Sequence, residues 1–216
     1  MAQDGRQMEM LRLVDLANVC CGAHAGSREL TRLTMRQCAE AGVKVGAHPG
    51  YPDPEHFGRR MLFGVTYDAV AIRELVGEQV GFAQEAAREE GCELYHVKPH
   101  GALYNEAAAN GEVAEAIAAG VKQVAQDLFL MGLAKSVMVG VFRRAGFVVL
   151  REAFADRRYT AEGLLVPRSE TGAMIEDVEE ARAQLVRLGR FSDTVCVHSD
   201  SPGALNMLRG IRLNAV

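Results

Sequence analysis

The 216-residue chain has no tryptophan, and only 6% of its residues are aromatic. It also lacks an uninterrupted apolar run of membrane-spanning length. The most apolar stretch, Leu128 to Leu150, is broken by Lys135, Arg143 and Arg144, which excludes it as a span. The opening residues M-A-Q-D-G-R-Q-M-E-M contain no apolar signal-peptide core. There is no surplus of positive charge: 24 Lys and Arg stand against 28 Asp and Glu, for a net charge of −4. Without a basic stripe the electrostatic footprint of a nucleic-acid binder is missing. No G-x-x-x-x-G-K-[ST] loop, no G-x-G-x-x-G after a strand and no G-x-S-x-G elbow occurs, so nucleotide and nucleophilic-serine sites of the usual kinds are excluded. The five cysteines are an odd number, lie in apolar segments and include no C-x-x-C pair. They read as reduced core thiols of a cytoplasmic protein, not as a disulfide framework or a cysteine zinc site.

What is present is ordinary globular material, 49% hydrophobic and 24% charged, enough for the core of one domain over residues 1–216. Apolar, β-branched runs fall at Leu13–Cys20, Val43–Ala47, Glu93–Lys98, Leu128–Gly132, Phe147–Arg151 and Thr194–Val197. Helical spacing fills Arg28–Ala41, Tyr67–Glu90, Gly111–Gln126, Ala134–Ala145, Val178–Leu188 and Pro202–Leu213. Strands alternating with amphipathic helices imply six βα units and a parallel sheet. Glycines at Gly42, Gly91 and Gly146 mark helix ends just before a strand. Two segments break the rhythm: a long loop, Gly50 to Gly64, with adjacent Arg59 and Arg60, and a hairpin-like stretch, Asp156 to Gly172. Long ordered loops on the rim of such a sheet commonly act as lids or clamps, and paired arginines there suit an anion.

Five of the six histidines directly follow strand-like runs, as His24 in A-H-A-G, His48 in A-H-P-G, His96 and His100 in H-V-K-P-H-G, and His198 in V-H-S-D. In parallel α/β sheets the strand C-termini converge on one rim where chemistry collects. Period-two alternation places His96, Lys98 and His100 on one side of a strand if the extended backbone continues through Pro99. Lys98 in an apolar strand calls for a partner. Asn18 is an amide in an apolar strand and needs one too. Asp156 in F-A-D-R-R-Y can orient an imidazole or act as a base, with Arg157 and Arg158 beside it for a carboxylate or phosphate. Asp200 reads equally well as a catalytic group and, like Ser201, as the N-cap of a helix starting near Pro202.

Seven segments occur in one order along nearly the whole chain: A-N-V-C-C-G-A-H-A-G, G-A-H-P-G-Y-P-D, F-G-R-R, H-V-K-P-H-G-A-L-Y-N, F-A-D-R-R-Y, L-V-P-R-S and C-V-H-S-D-S-P-G-A-L. Together they resemble the LamB/YcsF family of bacterial 5-oxoprolinase A subunits. That resemblance implies an α/β fold, an irregular (β/α) barrel of the glycoside hydrolase/deacetylase type. It implies a role with B and C subunits in opening 5-oxoproline to L-glutamate at the expense of ATP, with Mg2+ and ATP held through the complex. It assigns proton transfer or water orientation to His48, His100 and His198, electrophilic stabilisation to Lys98, and a catalytic role to Asp156. Substrate binding falls to Asn18, His24, Arg59, Tyr104, Arg157 and Arg168, with the arginines on a carboxylate or phosphate. The family opens on an acidic strand, D-L-N-x-D-x-G-E. Here M-A-Q-D-G-R-Q-M-E-M runs almost straight into the next motif, so a barrel lacking its first strand is expected, with exposed edges that self-association would cover. The alternatives are a metal-dependent deacetylase-like hydrolase using His24, His48 and an aspartate, and a truncated subunit that only binds partners.

Overall fold

The computed structural model describes residues 2–212. Eight helices and six strands alternate among them: α1 (Ala2–Leu11), β1 (Leu16–Cys20), α2 (Arg28–Ala41), β2 (Lys44–His48), α3 (Ala69–Glu89), β3 (Leu94–Val97), α4 (Gly101–Ala109), α5 (Gly111–Val124), β4 (Phe129–Leu133), α6 (Val137–Arg144), β5 (Val149–Phe154), α7 (Val178–Leu188), β6 (Thr194–Cys196) and α8 (Ala204–Arg212). All six strands are parallel, and each pairs with its successor in the chain. The sheet curls into a half-barrel whose described ends are β1 and β6.

Local chemistry sets the boundaries. Ser27 Oγ accepts the Leu30 N–H at 3.2 Å to start α2, and Gly42 at φ 70° closes it. Asp68 and Asp177 accept the Ala71 and Glu180 N–H groups, each at 2.8 Å, to start α3 and α7. Such caps satisfy helix-end donors that otherwise lack partners. The ends of α2 and α7 therefore fall where the sequence places them.

Strand periodicity then divides the side chains between two faces. Val19, Val45, Ala47, Val97 and Leu130 are buried in the core with Met35, Ile72, Val76, Val80 and Ile117 from the surrounding helices. Each fully buried aliphatic side chain contributes about 1.5–3 kcal/mol. The opposite face of the same strands carries polar groups, and they form the site.

Helices α1, α4 and α8 depart from the sequence reading. α1 has too polar a sequence to show strong periodicity. It packs against both α2 and α8, with Gln7 donating to Gln37 Oε1 at 2.9 Å and Glu9 paired with Arg209. It thus spans the outside of the seam between the first and last βα units. α4 begins directly at Gly101, with His100 as its extended N-cap residue at φ −99° and ψ 148°. The extended backbone does run through Pro99, and the helix follows without a loop. Helix α8 starts at Ala204, later than Pro202, because the Asp200 and Ser201 side chains are engaged elsewhere.

Candidate active site

Asn18, Gly46 and His96 lie in register across β1, β2 and β3. His96 Nε2 meets Asn18 Oδ1 at 2.8 Å, reaching over the glycine between them. A Cβ on Gly46 would lie 2.1 Å from His96 Nε2, so this contact requires glycine. His96 is fully buried, and burial, with Lys98 nearby, depresses its pKa to about 3. Asn18 is therefore spent on His96.

Nearer the rim, the turns after the first three strands bring three imidazoles together. His24 stacks on His100, with centroids 3.8 Å apart and planes within 3°. His48 Nδ1 meets the Lys98 carbonyl at 2.7 Å, and its Nε2 meets His100 Nδ1 at 3.0 Å. His100 Nε2 meets the Phe57 carbonyl at 2.8 Å, which pins the Gly50–Gly64 loop over the cluster. The loop comes this close because Gly50 and Gly58 lack a Cβ; one at either position would lie 2.8 Å from His24 atoms. Burial leads the causes that lower all three pKa values, to about 4 for His24 and about 3 for His100, and Arg59, Lys98 and the neighbouring imidazoles add to it. Burial thus favours neutral rings, although the run from the Lys98 carbonyl through His48 and His100 to the Phe57 carbonyl has three contacts for the two N–H groups that neutral rings supply.

Across the half-barrel the chemistry is charged. Lys98 Nζ donates to Glu152 Oε1 at 2.6 Å and to Cys196 Sγ at 3.2 Å, and Tyr104 donates to Glu152 Oε2 at 2.9 Å. Burial disfavours the Lys98 ammonium, but the Glu152 carboxylate in contact with it outweighs burial and raises its pKa. Cys196 itself stays a thiol, since burial pushes it up to about 12. An ammonium has three donors, so Lys98 retains one.

Asp156 lies beyond the end of β5, in a turn held by Tyr159, whose hydroxyl accepts the Phe154 N–H at 2.8 Å. Gln184 of α7 donates to the Phe154 and Arg157 carbonyls, each at 2.8 Å. Both Asp156 oxygens lie 3.0 Å from His198 Nδ1, and Asp156 also accepts the His198 backbone N–H at 3.0 Å and the Ser201 hydroxyl at 2.6 Å. Burial opposes the Asp156 charge, yet these bonds hold its pKa at about 2. Burial lowers the His198 pKa despite Asp156. His198 is thus neutral at neutral pH, with Nδ1–H fixed on the carboxylate and the Nε2 lone pair free to accept a proton. That is the arrangement of a general base.

The rim beside this pair is cationic. Arg59 and Arg168 both bind Asp200, the second at 3.4 Å. Arg157 donates to the Val166 carbonyl, and its pKa falls to about 10, chiefly by burial and then through Arg168. Two arginines of the motifs turn elsewhere: Arg60 forks onto Asp53 at 3.0 and 3.1 Å, and Arg158 pairs with Glu180 of α7. Of the two readings of Asp200 the N-cap falls, and Ser201 does not cap α8 with its side chain either, because Asp200 joins the arginines and Ser201 joins Asp156.

The structure brings Lys98, Tyr104, Asp156 and His198 to one side of the mouth with Arg59, Arg157 and Arg168. It places His24, His48 and His100 in a separate group, and Asn18 below them. Glu152 and Cys196 escaped the sequence reading as site residues, and Ser201 entered it only as a cap. Glu152 had a signal, since it alternates with Phe154 along β5 and Asp156 follows at the same spacing just past the strand's end. Among the described residues no group of three or more His, Cys, Asp or Glu side chains is placed to hold a metal ion. The helix N-termini nearest the rim are also taken: Ser27 accepts the Leu30 N–H and the Gly58 carbonyl accepts the Ala102 N–H at 3.0 Å.

A parallel half-barrel with an acid–base pair, a buried lysine and an arginine rim at its strand C-termini is built like the enzymes of the (β/α)-barrel class. Residues 2–215 match the LamB/YcsF family, and the chain belongs to it. It is 41% identical to the 5-oxoprolinase A subunit of Bacillus licheniformis over 96% of this chain and 87% of that protein. Against the 5-oxoprolinase A subunit of Chloroflexus aggregans it is 42% identical, covering 97% and 88%. Its fold matches the crystal structure of the lactam utilization protein from Thermus thermophilus with a TM-score of 0.86 at 37% identity, over 95% and 87% of the two chains.

Proposed function

We infer that this chain hydrolyses the ring C–N bond of a small cyclic amide that carries a carboxylate. The substrate is 5-oxoproline and the product L-glutamate, formed together with B and C subunits that handle ATP and Mg2+. The observation that carries this reading is the Asp156–His198 pair beside Arg157 and Arg168 at one mouth. The names of relatives about 40% identical over nearly the whole chain support it.

His198 Nε2 takes a proton from water as the water oxygen bonds to the lactam carbon. Asp156 keeps the ring in the correct tautomer and stabilises the imidazolium that results. The free N–H of Lys98 meets the negative charge that develops on the carbonyl oxygen, a role in which a preorganised donor is effective. The same proton then passes to the ring nitrogen as the C–N bond breaks, and the second proton of the water moves from the new carboxyl to the amine, leaving a carboxylate and an ammonium. The arginines hold the substrate's own carboxylate and fix its orientation.

The test is glutamate release from 5-oxoproline by the chain with its partner subunits and ATP. Replacing His198→Ala should lower turnover by about 10²–10⁴-fold, the usual weight of a general base, with the far-ultraviolet circular dichroism unchanged. Unaltered turnover in a folded His198→Ala protein removes the base, and no glutamate from the unmodified complex removes the reaction.

A further inference from the structure

Three guanidinium groups converge on the rim, from Arg59 in the loop after β2 and from Arg157 and Arg168 in the stretch between β5 and α7. The carboxylates facing them are Asp200, bound to Arg59 and Arg168, and Asp156, bound to His198 and Ser201. Glu152 is neutralised by Lys98 and does not enter the count. Three cations against two anions leave one positive charge unanswered. Two polar atoms are unanswered as well: Arg157 Nε and Arg168 Nη2 are buried and have no hydrogen-bond partner among the described residues. Arg157 is only 4% exposed, so water does not readily supply what the protein omits. A buried guanidinium N–H without an acceptor is costly, and an arrangement that keeps two of them is shaped for an acceptor that comes and goes.

Asp200 occupies the outer part of the same cluster. It is half-exposed, with a side-chain exposure of 39%, and lies on the short β6–α8 connection. Its carboxylate links Arg59 to Arg168 across the mouth, between segments 141 and 32 residues away in sequence. A carboxylate at the rim of an otherwise unfilled guanidinium cluster is chemically the same species as the group the cluster would bind.

We propose that Asp200 is a resident competitor of an anion subsite formed by Arg157 and Arg168, and that the carboxylate of a singly charged substrate displaces it from Arg168. This deepens the reading above and rests on it for the identity of that substrate. Charge balance selects the ligand class: with Asp200 released from Arg168 but kept on Arg59, one carboxylate neutralises the cluster, whereas a phosphoryl dianion overfills it. Asp200 acts by holding the arginines until substrate arrives, which makes it a positioning residue and sets a threshold on affinity.

The experiment is titration calorimetry on the chain, alone and with its partner subunits, using 5-oxoproline, the uncharged 2-pyrrolidinone and inorganic phosphate. The proposal expects 5-oxoproline to bind about tenfold or more tightly than 2-pyrrolidinone, in line with a hydrogen bond to a charged group, and phosphate to bind more weakly than 5-oxoproline. Asp200→Asn, isosteric and half-exposed, should tighten 5-oxoproline by about tenfold by removing the competitor. Arg157→Met and Arg157→Lys should both weaken it, because neither restores an Nε–H donor. Unchanged or weaker binding in Asp200→Asn overturns the competitor, and equal binding of the two lactams or of 5-oxoproline to Arg157→Met overturns the subsite. Tighter phosphate binding overturns the ligand class, and no 5-oxoproline binding in either setting overturns the whole. The two readings separate cleanly. Normal glutamate release with unchanged KM in both Arg157→Met and Asp200→Asn removes the subsite alone. Selective 5-oxoproline binding without turnover by the full complex removes the reaction alone.

Discussion

The imidazoles that follow the first three strands and the one that follows the sixth share a rim but meet different partners. His24, His48 and His100 touch one another, a cysteine and backbone carbonyls, with no carboxylate in contact. His198 has Asp156 at 3.0 Å. Burial lowers the pKa in both places, yet only His198 has a fixed anion to stabilise its charged form. A histidine in a turn after a strand is therefore not yet a proton carrier. The second group in contact decides whether the ring can gain a proton during a reaction. The three-ring cluster packs against and anchors the Gly50–Gly64 loop through the Phe57 carbonyl, while the one contact between a rim imidazole and a carboxylate described here lies on the charged side.

Acid is the strongest way to break the comparison. The folded-state pKa values of His24, His96 and His100 lie at about 4, 3 and 3, below the ordinary histidine value near 6.5 that the unfolded chain regains. The unfolded state thus binds more protons between these limits, so stability is full above pH 6.5 and falls as pH drops toward 4. Each ring contributes about 1.4 kcal/mol for every tenfold difference in proton affinity between the two states. Asp156 has the same sign in a lower window: its contribution, present above the usual aspartate value, is lost only as pH falls toward about 2. Thermal unfolding from pH 7.5 to 4 should show Tm dropping steadily. Histidine ring NMR signals should show His24 and His100 unprotonated at pH 5. A flat Tm, or His100 titrating near 6.5, would place a counter-charge in the three-ring cluster.

A substitution on the charged side comes next in size. Removing the ammonium in Lys98→Met strands Glu152, which is only 1% exposed, and breaking a buried pair in this way costs about 3–5 kcal/mol. The double change Lys98→Met with Glu152→Leu should recover most of that in denaturant unfolding while turnover stays absent. If Lys98→Met alone unfolds at the same denaturant concentration as the unmodified protein, the pair is not closed as described. The smallest effect is expected below the three-ring cluster. Gly46→Ala forces His96 off Asn18 and should cost about 1–3 kcal/mol through overpacking, with a shift of the His96 ring resonance and the His198 titration unmoved.

The sequence shows the half-barrel because its strands and helices are long enough to display their periods and their caps. It shows His198, Asp156 and Arg157 because their turns sit at strand ends. It does not show which histidine has an acid beside it, since β5 and β6 meet only in the folded sheet. Lys98 announces the need for a partner, but Glu152 is 54 residues away and looks like any acid in an alternating strand. Arg59 and Arg60 are adjacent and chemically identical, and only the fold sends one to Asp200 and the other to Asp53. Helix α1 is too polar to declare itself, and α4 is hidden by the proline and glycine at its start.

The three-ring cluster draws all its imidazoles from residues 24–100, whereas His198, its carboxylate partner Asp156 and two of the three rim arginines come from residues 156–201. The Arg59–Asp200 and Glu9–Arg209 ties span 141 and 200 residues, and contacts so distant in sequence raise the contact order of the fold. The first group is thus a local product of β1 to β3, whereas the second exists only when both ends of the described sheet are folded together.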